Sequence, residues 1–206
     1  WGIGDLHDLA TLASWSGRGL GAGFVLINPL HAASPVPPMA PSPYLPVTRR
    51  FANPMYLRVE DIPEFARLTP AVAARIEELA AELRRRNTTA DLLDRDAVWS
   101  AKRIALDAVH AAGMSDERML AYTTFRAAQG TGLVDFATWC AISDVHGAPA
   151  EWPADLGHPA NPEVAAFRAE HAGLVDFHMW MQWLIDEQLS ATQDAAREAG
   201  MAIGVM

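Results

Sequence analysis

The chain has 206 residues, half of them hydrophobic, which is enough for one sizeable packed core and too apolar for a disordered segment. A formal charge of −9 and a pI near 5.1 give it no electrostatic attraction for polyanions, so nucleic acid and an anionic membrane surface are poor partners. Cys140 is the single cysteine, which excludes an internal disulfide framework, and no apolar run reaches the length of a membrane-spanning helix.

The first residues show no basic start with an apolar stretch behind it, so no signal peptide is visible, and a reducing cytoplasm is the expected setting. Asp5 can cap a helix that carries Leu6, Leu9, Ala10 and Ala13 at helical spacing, with Gly17, Gly19 and Gly21 ending it. Phe24-Val25-Leu26-Ile27 follows as a continuous apolar run, the pattern of a strand buried on both faces in a parallel sheet. Residues 29–54 hold eight of the fourteen prolines and read as an ordered loop outside the core.

From Thr69 to Glu198 the chain reads as mainly helical. Thr69 caps a helix with Pro70 at its first position and Val72, Ile76, Leu79 and Leu83 in one stripe. A second helix carries Val98, Ala101, Ala105 and Val109. Ser115 starts a third, with Asp116 and Glu117 in its first turn. Asp135 starts a short one containing Phe136, Trp139 and Cys140. A loop rich in proline and glycine spans 148–159, and Asn161-Pro162 restarts the helix by the cap-and-proline device. A final helix, about Val175 to Glu198, carries Trp180, Trp183, Leu184 and Leu189, and Gly200 then precedes the apolar run from Met201 to Met206. Two helix–strand units around a helical insertion predict an α/β fold, helix-dominated overall. A start at Trp1 and an apolar end suggest a segment of a longer protein.

Most candidate chemistry reduces to packing. Ser42 has no G-x-S-x-G elbow around it, which argues against a hydrolase triad. Cys140 sits beside Trp139 on an apolar helix face and reads as a buried thiol. His171 and His178 share a helix face seven residues apart, but zinc sites favour closer pairs, so packing or capping is expected and no metal. Gly17-Arg18-Gly19-Leu20-Gly21 precedes its strand, the reverse of a dinucleotide fingerprint, and no cofactor is expected. Trp180 and Trp183 read as core, with a sugar-stacking platform as the sharper alternative. The stretch Pro41-Ser42-Pro43-Tyr44 is different. It follows the apolar strand through Asn28-Pro29-Leu30-His31, the place where α/β proteins build sites. Prolines at 43 and 46 restrict the backbone of Tyr44, whose ring offers a flat apolar face with a polar tip, and Ser42 adds a hydroxyl. Two readings stay open here: a sugar-stacking wall, or a braced loop whose tyrosine plugs a barrel rim.

Trp1-Gly2-Ile3-Gly4-Asp5-Leu6, the run from Gly21 to Ala32, Pro41-Ser42-Pro43-Tyr44, Arg49-Arg50-Phe51-Ala52-Asn53-Pro54, Gln182-Trp183, Asp186-Glu187-Gln188-Leu189 and the run from Ala195 to Met201 together resemble the amylomaltases, 4-α-glucanotransferases of the α-amylase clan. The resemblance spans nearly the whole chain. It implies a partial TIM (β/α)8 barrel segment with a large, mostly helical insertion. Residues 1–62 would start the barrel, 63–174 would form the inserted subdomain, and 175–206 would return as helix and third strand. It implies transfer of α-1,4-glucan segments between maltodextrins with retention, which needs two carboxylates roughly 5–5.5 Å apart. By the family pattern Tyr44 would stack on the donor glucose and Ser42 would hydrogen-bond a nearby sugar, while Asn53 and Asp5 take structural roles. The family's catalytic carboxylates follow later strands, so no catalytic residue is expected in this chain. The remainder of the same polypeptide is expected to complete the barrel. Without it the barrel parts should be poorly ordered, and the helical subdomain is the part most able to fold alone. The alternative is a non-catalytic helical module that binds glucan or protein through an exposed Trp180, Trp183 or Trp152. A helical adaptor with no sugar role is a third option.

Overall fold

The structure, a computed structural model, describes residues 1–206. Helix α1 spans Leu6–Leu20, and Asp5 caps it: the His7 and Asp8 amides donate to Asp5 Oδ1, and the Asp8 side chain accepts from the Asp5 amide in return. The helix runs straight through Gly17 and Gly19 and ends only at Gly21, whose φ of 66° closes the turn in the left-handed region. Gly17 is therefore a packing residue and not a stop. A Cβ there would stand 2.7 Å from the Ala199 carbonyl oxygen, so its lack of a side chain lets α1 approach the end of the last helix. We expect Gly17→Ala to destabilise the chain by about 1–3 kcal/mol despite alanine's better helix propensity, because the clash is with backbone. A denaturant titration with an unchanged slope and a lower midpoint is the expected result; no loss would contradict this contact.

Strand β1 is only Phe24–Val25 and pairs in parallel with β4, Gly204–Val205. The ladder extends through Ile27 N–H to the Met206 carbonyl and Met206 N–H to the Val25 carbonyl. The expected double-sided burial does not occur in this chain: Leu26 is 71% exposed and Phe24 is exposed as well, because pairing with β4 covers an edge of β1 and not the faces from which its side chains project. The proline-rich excursion, expected as an ordered loop outside the core, instead contains paired strands and sends Ala32, Met39 and Phe51 into the core. Strand β2, His31–Ala32, pairs antiparallel with β3, Thr48–Ala52. The pairing is irregular: His31 and Ala32 are consecutive, yet their partners Ala52 and Thr48 are four apart, so Arg49 to Phe51 form a bulge in the ladder. Within the bulge Phe51 turns inward and stacks on Phe136 at 4.5 Å between ring centroids.

Three short 3-10 turns, Pro54–Tyr56, Val59–Asp61 and Pro63–Arg67, lead to the helices. These are α2 (Pro70–Arg84), α3 (Arg95–Ala111), α4 (Asp116–Gln129), α5 (Thr131–His146), α6 (Pro162–Glu170) and α7 (Ala172–Glu198). Thr69 and Ser115 cap α2 and α4 through their hydroxyls, as their positions predict. Helix α5 starts at Thr131, four residues before Asp135, and the Gly130 that precedes it has no capping side chain. Asn161 does not cap α6; its amide nitrogen donates to the Asp155 carbonyl instead.

The main core surrounds the first half of α7, where Trp180 is 0% and Trp183 3% exposed. A small second cluster of Ala13, Ala196 and Met201 joins α1, the end of α7 and the final strand. Helix α7 also holds the extended segments by glutamine amides, each satisfying a backbone donor and a backbone acceptor. Gln182 bonds the N–H and carbonyl of Ala52, Gln188 those of Arg58, and Gln193 the Val205 N–H and Ile203 carbonyl. Each amide stands in for a neighbouring strand.

Candidate active-site wall

The loop between β2 and β3 presents Ser42 and Tyr44. Tyr44 is 62% exposed, and its ring and its backbone are each held by one hydrogen bond. Its hydroxyl donates to Asn28 Oδ1 at 2.8 Å, and its backbone N–H donates to Ser42 Oγ at 3.3 Å. Asn28 lies just beyond β1, so the hydrogen bond ties the loop to the end of the parallel pair. Ser42 Oγ accepts from the chain and keeps its own proton free to donate.

Beside these residues opens a cavity of about 200 Å³, lined by proline and by polar groups from Asn28, His31, Ser42, Asn53, Tyr56 and Arg95. Asn53 takes the structural role expected of it, since its side chain accepts from the Met55 N–H at 3.0 Å and caps the turn Pro54–Tyr56. Its own N–H donates to the Leu30 carbonyl and closes the loop on itself. Burial raises the Tyr56 phenol above its usual range against the charge of Arg95. Arg95 is the first residue of α3, so the helical part of the chain contributes directly to this cavity. Beneath the turn, the fully buried ammonium of Lys102 donates to the Met55 carbonyl at 2.6 Å and the Leu57 carbonyl at 2.8 Å.

Tyr44 and Ser42 were legible as candidates. Asn28 lies in the run from Gly21 to Ala32 with no local signal for a role, and no local signal marks Tyr56 or Arg95. Arg95 is fifty-one positions beyond Tyr44, and no local pattern links them. No Asp or Glu lines the cavity. The wall offers hydroxyls, amides, an imidazole, a guanidinium and an aromatic face, a set that suits a neutral polyhydroxylated ligand. It supplies no carboxylate pair for acid–base or nucleophilic work.

The other sequence candidates take structural places. Asp5 is buried, and its Oδ2 faces Arg58 Nε at 3.0 Å. Burial pushes its carboxyl above the usual range, opposed by the Asp8 amide and the charges of Lys102 and Arg58. Burial likewise raises the Cys140 thiol, so it is an inert core group. His178 Nε2 lies 2.8 Å from Asp144 Oδ2, which Arg103 also meets at 2.7 Å. Burial alone would raise the Asp144 carboxyl, but the bond to His178 and the two charges hold it below its usual value. His171 packs its ring 4.2 Å from Phe167. Trp180 and Trp183 lie inside the core, and the Trp152 indole is part-buried and donates to the Gly147 carbonyl, which removes the exposed-tryptophan platform.

Comparison with known proteins identifies the family. Residues 1–205 match the family model of the 4-alpha-glucanotransferases. A 4-alpha-glucanotransferase of Mycobacterium tuberculosis (strain ATCC 25618 / H37Rv) is 50% identical over 213 residues, covering 100% of this chain and 29% of the relative. One from Haemophilus influenzae is 28% identical over 222 residues, covering 100% of this chain and 32% of the relative. The crystal structure of amylomaltase from Corynebacterium glutamicum superposes with a TM-score of 0.86 at 47% identity, over 100% of this chain and 27% of that one. An amylomaltase from Streptococcus agalactiae in complex with acarbose shares the fold, with a TM-score of 0.72 at 16% identity, over 99% of this chain and 39% of that one. The chain thus spans under a third of its curated relatives, and with residues 1–205 matched end to end it belongs to the 4-alpha-glucanotransferase family.

Proposed function

We propose that this chain is a segment of a longer 4-α-glucanotransferase, in which it forms one wall of the donor site. The observation that carries this reading is the exposed ring of Tyr44, hydrogen-bonded to Asn28, which together with Ser42 and Pro43 lines a polar cavity that holds no carboxylate. In this reading Tyr44 stacks on a glucose unit of a maltodextrin, and the free Ser42 proton donates to a sugar oxygen. The reaction is a retaining double displacement whose two carboxylates, roughly 5–5.5 Å apart, come from the remainder of the polypeptide. The reading calls for no cofactor, nucleic acid or membrane.

The parallel pair β1–β4 belongs in this reading to a partial (β/α)8 barrel. Residues 1–62 open the barrel, 63–174 form the helical insertion, and 175–206 lead back to the third strand. The bare side chains of Phe24, Leu26, Ile203 and Met206 support it, because they are the kind of surface that neighbouring barrel elements cover. The unpaired thiol of Cys140 suits a cytoplasmic enzyme. Burial of Trp180 and Trp183 removes the motive for a separate tryptophan-based binding module.

The test is a full-length enzyme in which this chain replaces the matching 29% of its 50%-identical mycobacterial relative. Incubated with maltotriose, it should release glucose and build longer maltodextrins. A folded hybrid that performs no transfer would overturn the reading.

A further inference from the structure

We infer that Asn28 is a positioning residue for Tyr44: its Oδ1 holds the phenol hydroxyl and so sets the angle of the ring that faces the sugar. This rests on the donor-wall reading above. Pro43 and Pro46 restrict the backbone around Tyr44, but they leave the side-chain torsions free. Packing does not fix these torsions either, because more than half of the residue is exposed. The hydrogen bond to Asn28 at 2.8 Å is the one side-chain contact that selects a single ring orientation. Asn28 is itself well placed to act as a fixed post. Its neighbour Ile27 is bonded to the Met206 carbonyl in the parallel ladder, and Pro29 on its other side confines its backbone to extended conformations. A free phenol would have to be ordered whenever a glucan arrives, whereas a phenol already held by Asn28 spends less of the binding free energy on ordering.

The experiment measures maltotriose transfer by the full-length hybrid carrying Asn28→Ala, Tyr44→Phe, both together, or Asn28→Asp. Either single change should raise KM about 3- to 10-fold with a smaller effect on kcat, the scale of ordering one side chain. The double variant should be no worse than either single one, because both remove the same bond. Asn28→Asp keeps an acceptor oxygen at the same place and should restore KM to near the starting value. Additive losses, an unchanged Asn28→Ala, or an Asn28→Asp as impaired as Asn28→Ala would each overturn the positioning role. Tyr44→Ala serves as the control. If it leaves transfer unchanged, the donor-wall reading itself fails; if it impairs transfer while the Asn28 and Tyr44→Phe losses add, only the positioning role fails.

Discussion

Replacing Lys102 by alanine should destabilise the chain by about 4 kcal/mol, and Lys102→Met should cost roughly half as much. Lys102 is 0% exposed, and its ammonium satisfies the carbonyls of Met55 and Leu57. Either substitution leaves both carbonyls buried without a donor, at about 1–3 kcal/mol each. Alanine also leaves a cavity where the alkyl stem lay, which methionine largely fills. Against these losses stands the relief of a buried charge. Burial depresses the Lys102 pKa from its ordinary 10.5 to about 8, although Asp5 and Glu60 pull it upward. The charged form is therefore penalised in the folded state, and removing it recovers about 3 kcal/mol near neutral pH. For a chain of this size a net 4 kcal/mol lowers Tm by about 8–16 °C, which calorimetry would resolve.

The same shift fixes a pH dependence. A base whose folded pKa lies below its unfolded one binds fewer protons when folded in the interval between the two values. Stability then rises with pH across that interval. From pH 8 to pH 10 Lys102 should add about 2 kcal/mol of stability, and Lys102→Met should lack that rise. Above pH 10 the trend reverses through Tyr122: burial raises its phenol, with Asp176 adding to the effect, so the unfolded chain loses that proton first. A wild-type and Lys102→Met pair with parallel stability curves from pH 8 to 10 would contradict the assignment. The consequence reaches the site, because Met55 and Tyr56 line the cavity and Leu57 follows them in the chain.

Local signals located what local chemistry decides. The oxygen-bearing caps Asp5, Thr69 and Ser115 placed three helix starts correctly, since each offers an acceptor to a free N–H. Gly130 offers none, so the start of α5 was displaced to Asp135. Gly17 and Gly19 read as breakers because the reason for Gly17, the Ala199 carbonyl, lies 182 residues away in the chain. The β2–β3 pair escaped notice for a similar reason. Prolines mark the segment as loop, and the partners of its short strands come from the far side of the bulge. The buried faces of α3 and α7 were legible from spacing, including Trp180 and Trp183. At the site, the two prolines around Tyr44 announce a presented ring, but the group that holds the ring and the arginine that borders the cavity depend on the tertiary path.

Tyr44→Ala in the full-length hybrid should lower kcat/KM for maltodextrin transfer by about 10- to 100-fold, which corresponds to roughly 1.4–2.7 kcal/mol of lost transition-state binding. In the proposed reading the exposed ring is the flat face on which the donor unit stacks, and its removal would leave Ser42 and Asn28 without that platform. Folding should be nearly unaffected, because Tyr44 makes one side-chain hydrogen bond and is exposed over most of its surface. This separates the site from the core: Trp183→Ala should unfold the chain at lower temperature by removing a side chain that is 3% exposed, with Arg118 stacked 4.0 Å above it. The pH profile of transfer should keep its shape in Tyr44→Ala, because no carboxylate lines the cavity beside it and the proposed reading places the acid–base pair outside this chain. A profile whose limbs move with Tyr44→Ala would mean that this tyrosine exchanges protons with the reacting groups, and stacking would then no longer describe its role.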